Sequence, residues 1–245
     1  MTQPNEKPER EFSLIQLLPN ALTIAAICAG LTAIRLAAQD NHLLAVKLIL
    51  VAGILDGLDG RLARALGSDS EMGAELDSLA DFLNFGVAPP LILYFWSLQD
   101  IRGIGWFAAL VFAMCCVIRL ARFNVGIKSP DSEGSGAFFE GVPSPAGAFL
   151  VMMPLYWSFA FPESEGLPGL VLCLYIILVG LLLVSQIPTW SFKATKVPRK
   201  NLKYFFFAIS IIFAAVLTYP WITLMVLCLG YVSTVGWAWV QSKRA

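Results

Sequence analysis

Residues 56–81 read DGLDGRLARALGSDSEMGAELDSLAD, between ILVAGI (49–54) and FLNFGVAPPLILYF (82–95). Carboxylates thus interrupt sequence that otherwise belongs in hydrocarbon. A run of about 20 apolar residues crosses a bilayer as a helix, and ionisable groups inside such a run are costly enough to call for a function. The stretch reads as the ends of two membrane helices, joined in a hairpin around the ten-residue connection ALGSDSEMGA (65–74).

Outward from this hairpin the chain keeps the same character. Of its 245 residues, 58% are hydrophobic and 14% charged, and the mean hydropathy is +0.72, which excludes an ordinary soluble domain. Apolar runs predict eight membrane helices, near 17–38, 43–65, 77–98, 104–122, 145–161, 168–187, 202–218 and 221–240. The expected class is therefore an all-α, multi-pass integral membrane protein. Its expected organisation is a polar cytoplasmic segment over 1–16, a single membrane domain over 17–240 and a short cytoplasmic tail over 241–245. The opening MTQPNEKPEREF is too polar and acidic for a signal peptide, so no cleavage is expected. Pro89-Pro90 and Pro154 should kink their helices. The stretch GIKSPDSEGSGAFFEGVPSP (126–145) reads as a loop.

Charge distribution sets the expected orientation. With a cytoplasmic N-terminus, 14 of the 17 Lys and Arg fall on the cytoplasmic side, leaving Arg35, Lys47 and Arg102 opposite. The aspartates then face the cytoplasm. The five cysteines are scattered through apolar runs without metal-type spacing and read as packing residues. His42 is the only histidine and has no second ligand or catalytic partner in sequence. No internal repeat is visible, which disfavours an inverted-repeat transporter, and no nucleic-acid partner is expected.

On a helix, Asp56, Asp59 and Ala63 share one face, as do Asp77 and Asp81 on the next. A tight hairpin can bring the two faces together, and four carboxylates at that depth then need compensating cations or shared protons. An all-oxygen donor set suits Mg²⁺ or Mn²⁺ rather than zinc. Two such ions would clamp a phosphate for phosphoryl or phosphatidyl transfer. Gly60 and Ala63 leave the helix backbone open to a phosphate or base, and Arg64 offers a fork to a diphosphate. Glu71, Glu75, Asp69 and Arg61 read as structural ion pairs. At this level a metal-dependent transferase and an ion or proton carrier both remain open.

The spacing D-x2-D-G-x2-A-R-x8-G-x3-D-x3-D, from Asp56 to Asp81, resembles the signature of the CDP-alcohol phosphatidyltransferase family at every fixed position. The stretches LPNALT (18–23), GAELDSLADFLNFGVAP (73–89), RLARFNV (119–125), GVPSPAGA (141–148) and IPTWSFK (187–193) are similar to its serine-accepting, membrane-embedded branch. The resemblance implies a six-helix core, usually in a homodimer, with two further C-terminal helices here. It implies Asp56, Asp59, Asp77 and Asp81 as ligands of two Mg²⁺ or Mn²⁺ ions, with Asp81 also the general base. Asn20, Thr23, Gly60, Ala63, Arg64, Ser70 and Gly73 would line the CDP site. CDP-diacylglycerol and L-serine would be the substrates, phosphatidylserine and CMP the products, and a bacterial inner membrane the location. Glycerol 3-phosphate, inositol and choline are the alternative acceptors. A serine carboxylate needs a cationic fork, for which Arg119 and Arg122, at i and i+3, are candidates. Asn124 and Lys193 are further candidates. The 126–144 loop is expected to cover the headgroup site.

Overall fold

The computed structural model describes residues 17–68, 70–128, 138–164, 166–185, 188–190 and 202–242. The segments 1–16 and 191–201, Lys193 included, lie outside the described residues, as do residues 129–137 of the expected covering loop.

Each of the eight expected spans is helical. They are α1 (Leu18–Ala37), α2 (His42–Leu66), the unit α3 (Glu71–Asp81), π segment (Phe82–Val87) and α4 (Ala88–Ser97), then α5 (Arg102–Lys128). The pair α6 (Ser144–Val151) and α7 (Met153–Ala160) follows, with α8 (Gly169–Val184), α9 (Leu202–Thr218) and α10 (Pro220–Ser242). Among the described residues four continuous stretches are long and apolar enough to cross a membrane alone: Leu18–Ala37, Glu71–Ser97, Gln99–Val125 and Pro220–Ala238. The all-α expectation holds, with one small addition. Strand β1 (Phe138–Glu140) pairs antiparallel with β2 (Pro188–Trp190), Phe139 opposite Thr189. This ribbon ties the approach to α6 to the exit from α8.

The hairpin is tighter than its sequence suggested. Instead of a ten-residue connection, only residues 67–70 separate α2 from α3, and the third span begins at Glu71 rather than near residue 77. Two caps account for the difference. Gly67 takes the left-handed conformation (φ 59°), and Ser68 N–H donates to Ala63 O (3.0 Å) and Gly67 N–H to Arg64 O (3.4 Å), a Schellman closure that only glycine enters without strain. Ser70 then caps α3 by accepting from the Gly73 N–H at 3.0 Å.

The prolines act as expected. Pro89 and Pro90 have no N–H to donate to the carbonyls of Phe85 and Gly86, four residues back, and the preceding turn widens into the π segment. Met152 separates α6 from α7 two residues before Pro154.

Small residues set the helix approaches, as lipid-embedded packing requires. The buried face of α1 carries Thr23, Ala26, Gly30, Ala33 and Ala37, and that of α2 carries Ala45, Ala52 and Asp59. Gly180 brings α8 so close to α5 that a Cβ would sit 3.1 Å from the Phe112 Cα. Around this core Ile54, Phe107, Leu170 and Leu217 point outward, as side chains facing hydrocarbon would.

Candidate active site

The α2–α3 hairpin and the start of α1 enclose a pocket of about 190 Å³. All seven residues expected to contact CDP line it, together with Asp59 and Asp77. Local folding explains the shape. A Cβ on Gly73 would come within 3.1 Å of both Asn20 Oδ1 and Ser70 Oγ, so glycine lets the α3 start close on α1. A Cβ on Gly60 would meet nothing within 4 Å, leaving its backbone open to a ligand.

The four aspartates converge on one region. Asp59 is 3% exposed; its Oδ2 lies 2.5 Å from Thr23 Oγ1 and its Oδ1 accepts from the Gly60 N–H at 2.5 Å. Thr23 also sits 3.1 Å from Pro19 O, so its single proton has two acceptors to serve. Asp56 lies against Asp81 and in the field of Asp77 and Asp59. Asp77 faces Asp81, Asp59 and Arg64. Asp81 lies against Asp56 and in the field of Arg119 and Asp59.

Two observations test whether this set fits divalent ions. Asp56 Oδ1 is buried and has no hydrogen-bond partner among the described residues, the kind of orphan acceptor a cation would satisfy. Carboxylates placed side by side also need a proton or a cation between them. Against this, no three His, Cys, Asp or Glu side chains among the described residues converge closely enough to hold an ion as they stand. At Asp59 both oxygens are turned to Thr23 and Gly60. The donor chemistry and the orphaned Asp56 oxygen fit hard cations.

Beyond Asp81 the site continues into α5 and α6. Arg119 donates to Ser144 Oγ, and its guanidinium carbon is 5.9 Å from the Phe123 ring centroid. Cys116 Sγ is 3.7 Å from the same Ser144 hydroxyl. Arg122 goes elsewhere: its Nη1 donates to Val184 O at 2.9 Å, closing the end of α8. Asn124 Nδ2 donates to Ser78 Oγ at 3.1 Å, joining α5 to the helix that carries Asp77 and Asp81. Of the three acceptor candidates among the described residues, Arg119 is the one brought to Asp81. Ser144 and Ser78 were not singled out in the sequence, although both lie in stretches that carry the resemblance. Nothing in a local pattern marks a serine whose partner is 25 or 46 residues away.

Comparison with known proteins follows the same outline. The family model described as CDP-alcohol phosphatidyltransferase matches residues 16–186. A protein of Mycobacterium leprae is 40% identical over 231 residues, 94% of this chain and 76% of its own. One of Helicobacter pylori is 38% identical over 191 residues, 78% of each chain. One of Methanocaldococcus jannaschii is 36% identical over 211 residues, 86% of this chain and 88% of its own. Each of the three is named CDP-diacylglycerol--serine O-phosphatidyltransferase.

Proposed function

The chain belongs to the CDP-alcohol phosphatidyltransferase family, and on that premise we propose that it transfers the phosphatidyl group of CDP-diacylglycerol to the hydroxyl of L-serine, giving phosphatidylserine and CMP. The observation that carries the reading is the joining of two half-sites at Asp81. Asp81 lies against Asp56 and in the field of the Asp59 that lines the pocket of expected CDP contacts, and also in the field of Arg119, held by Ser144. The names of the relatives support serine as the acceptor.

In this reading Asn20, Thr23, Arg64, Ser70 and the open backbone at Gly60 hold the nucleotide diphosphate, Arg64 as a fork. Serine sits with its carboxylate toward Arg119 and its hydroxyl toward Asp81. Asp81 takes the hydroxyl proton while the serine oxygen bonds to the lipid-side phosphorus. The bond from that phosphorus to the CMP oxygen breaks, and CMP leaves with the electron pair. Divalent cations, held by Asp56, Asp59, Asp77 and Asp81, would supply charge neutralisation for the phosphates when bound. The protein acts as a homodimer in a bacterial inner membrane, with termini and site on the cytoplasmic side; the Lys and Arg bias supports that orientation.

The test gives purified protein CDP-diacylglycerol with Mg²⁺ or Mn²⁺ and, in turn, serine, glycerol 3-phosphate, inositol and choline. Mass spectrometry of the lipid identifies the acceptor. Phosphatidylserine with an equal amount of CMP, abolished by chelation and restored by either ion, is expected; a different phospholipid overturns the acceptor.

A further inference from the structure

The C-terminal helix α10 lies outside the family-matched residues, yet it borders a cleft that leads to the site. This cleft, of about 260 Å³, runs between α6 and α10 and is lined by Ala146, Phe149, Leu150, Leu224, Leu227 and Tyr231. Its mouth is on the outer surface: Leu227 is 43% exposed and its neighbour Val226 61%. Its inner wall reaches α2 within one helical turn of Asp56. A Cβ on Gly53 of α2 would lie 3.3 Å from Phe149 Cζ, and Gly53 is one helical turn before Asp56. At the same inner end the Tyr231 hydroxyl is buried and has no hydrogen-bond partner among the described residues. Tyr231 and Arg119 also lie in each other's field. A buried hydroxyl without a partner is costly. An otherwise apolar cleft that ends in one beside the reacting groups therefore matches a molecule with a hydrocarbon body and a polar end.

We propose that this cleft admits an acyl chain of CDP-diacylglycerol from the bilayer, with the Tyr231 hydroxyl donating to an ester oxygen of the lipid. The inference rests on the phosphatidyl-transfer reading and names the lipid entrance for it. The cytidine pocket borders α1 and the cleft borders α6, so in this proposal the donor's nucleotide occupies the first and an acyl chain the second. The thiol of Cys228, 3.6 Å from Phe149 O, adds no competing charge to the cleft.

The experiment uses the full chain in lipid nanodiscs and measures donor binding without any acceptor, then steady-state transfer. The donors are dioleoyl CDP-diacylglycerol, a dihexanoyl analogue and chainless CDP-glycerol. Ala146→Trp and, separately, Leu227→Trp narrow the cleft. Each is expected to weaken dioleoyl donor binding by about tenfold, the loss of burying roughly two methylenes. CDP-glycerol binding and the KM for serine stay as in the wild type, and retained CDP-glycerol binding certifies the fold. Tyr231→Phe, the milder variant, is expected to weaken both acylated donors by about threefold and CDP-glycerol not at all, the size of one neutral hydrogen bond. Equal effects on all three donors, no effect of any variant, or a raised serine KM would each overturn the cleft. Wild-type protein that binds the dioleoyl donor but transfers it to another alcohol removes serine as the acceptor and leaves the cleft standing. Wild-type protein that binds no donor removes both.

Discussion

The two sides of Asp81 are built differently. On the α1–α2–α3 side the site is built mainly by one short hairpin closed against α1: spacing, caps and glycines within 26 residues place Asp59, Gly60, Gly73 and Asp77 around one pocket. On the α5–α6–α10 side each group owes its position to a partner far along the chain, Arg119 to Ser144 and Asn124 to Ser78. The first side is a local motif whose chemistry survives changes elsewhere. The second is an assembly whose geometry depends on three helices packing correctly, and in the proposed mechanism it holds the acceptor.

The strongest way to break this division is at the residue that both sides share. Asp81→Asn removes the proposed proton acceptor while keeping size and polarity. Turnover should fall by about 10³-fold, as for loss of a general base, while CMP binding in the hairpin pocket changes little. Phosphatidylserine formation measured beside equilibrium nucleotide binding checks both halves. Near-normal turnover would mean that the proton leaves by another route and that Asp81 belongs to the nucleotide side alone.

Thr23→Val tests the hairpin side by itself. It removes the hydroxyl next to the buried Asp59 carboxylate without changing volume. Loss of a hydrogen bond to a charged group corresponds to about 10-fold or more in affinity. The expected outcome is weaker CMP binding with an unchanged KM for serine. The converse probe is Ser144→Ala, which frees Arg119 from its hydroxyl partner. It should raise the serine KM by about fivefold with CMP binding intact, the worth of a single hydrogen bond that orients another group. Ser144→Thr, which restores the hydroxyl, should recover most of the loss. A Ser144→Ala variant that weakens nucleotide binding as much as serine would erase the division.

The same contrast explains what could be read in the sequence. All eight spans were legible because each carries its own apolar run, and the aspartate faces were legible because helical spacing alone aligns them. The hairpin length was not, because Gly67 and Ser70 looked like loop composition; only the left-handed φ at Gly67 and the Ser70 cap reveal two helix ends back to back. The π segment also escaped notice. Pro89 and Pro90 announced a kink but not that the relief would fall in the turn before them, beside Asp81. Tyr231 was invisible as a site residue because it sits in an apolar run like any aromatic in a membrane helix. Its relevance comes from packing across more than a hundred residues of sequence.

A smaller effect comes from the hairpin turn. Gly67→Ala forces a Cβ into a left-handed position and should cost about 1 kcal/mol of stability, read as a lowered unfolding midpoint in detergent. Since a Cβ on Gly67 meets nothing within 4 Å, the cost is conformational only, and kinetics on either side of Asp81 should not move.

The smallest expected effect separates the two arginines of RLARFN. They are three residues apart on one helix, so sequence spacing makes them a fork; the structure sends them to different tasks. Arg119 turns to Ser144 and Asp81, while the Arg122 side chain closes the carbonyl end of α8 at Val184. An exposed arginine bonded to one carbonyl contributes little, within about 0.5 kcal/mol for a surface change. Arg122→Gln should therefore leave the serine KM within about twofold of wild type, and Arg119→Gln should raise it well beyond that. Initial-rate measurements over a range of serine concentration distinguish the two. If Arg122→Gln proved the more damaging, Arg122 would have to leave Val184 when serine binds, and the acceptor side would be assembled by the substrate rather than held ready by Ser144.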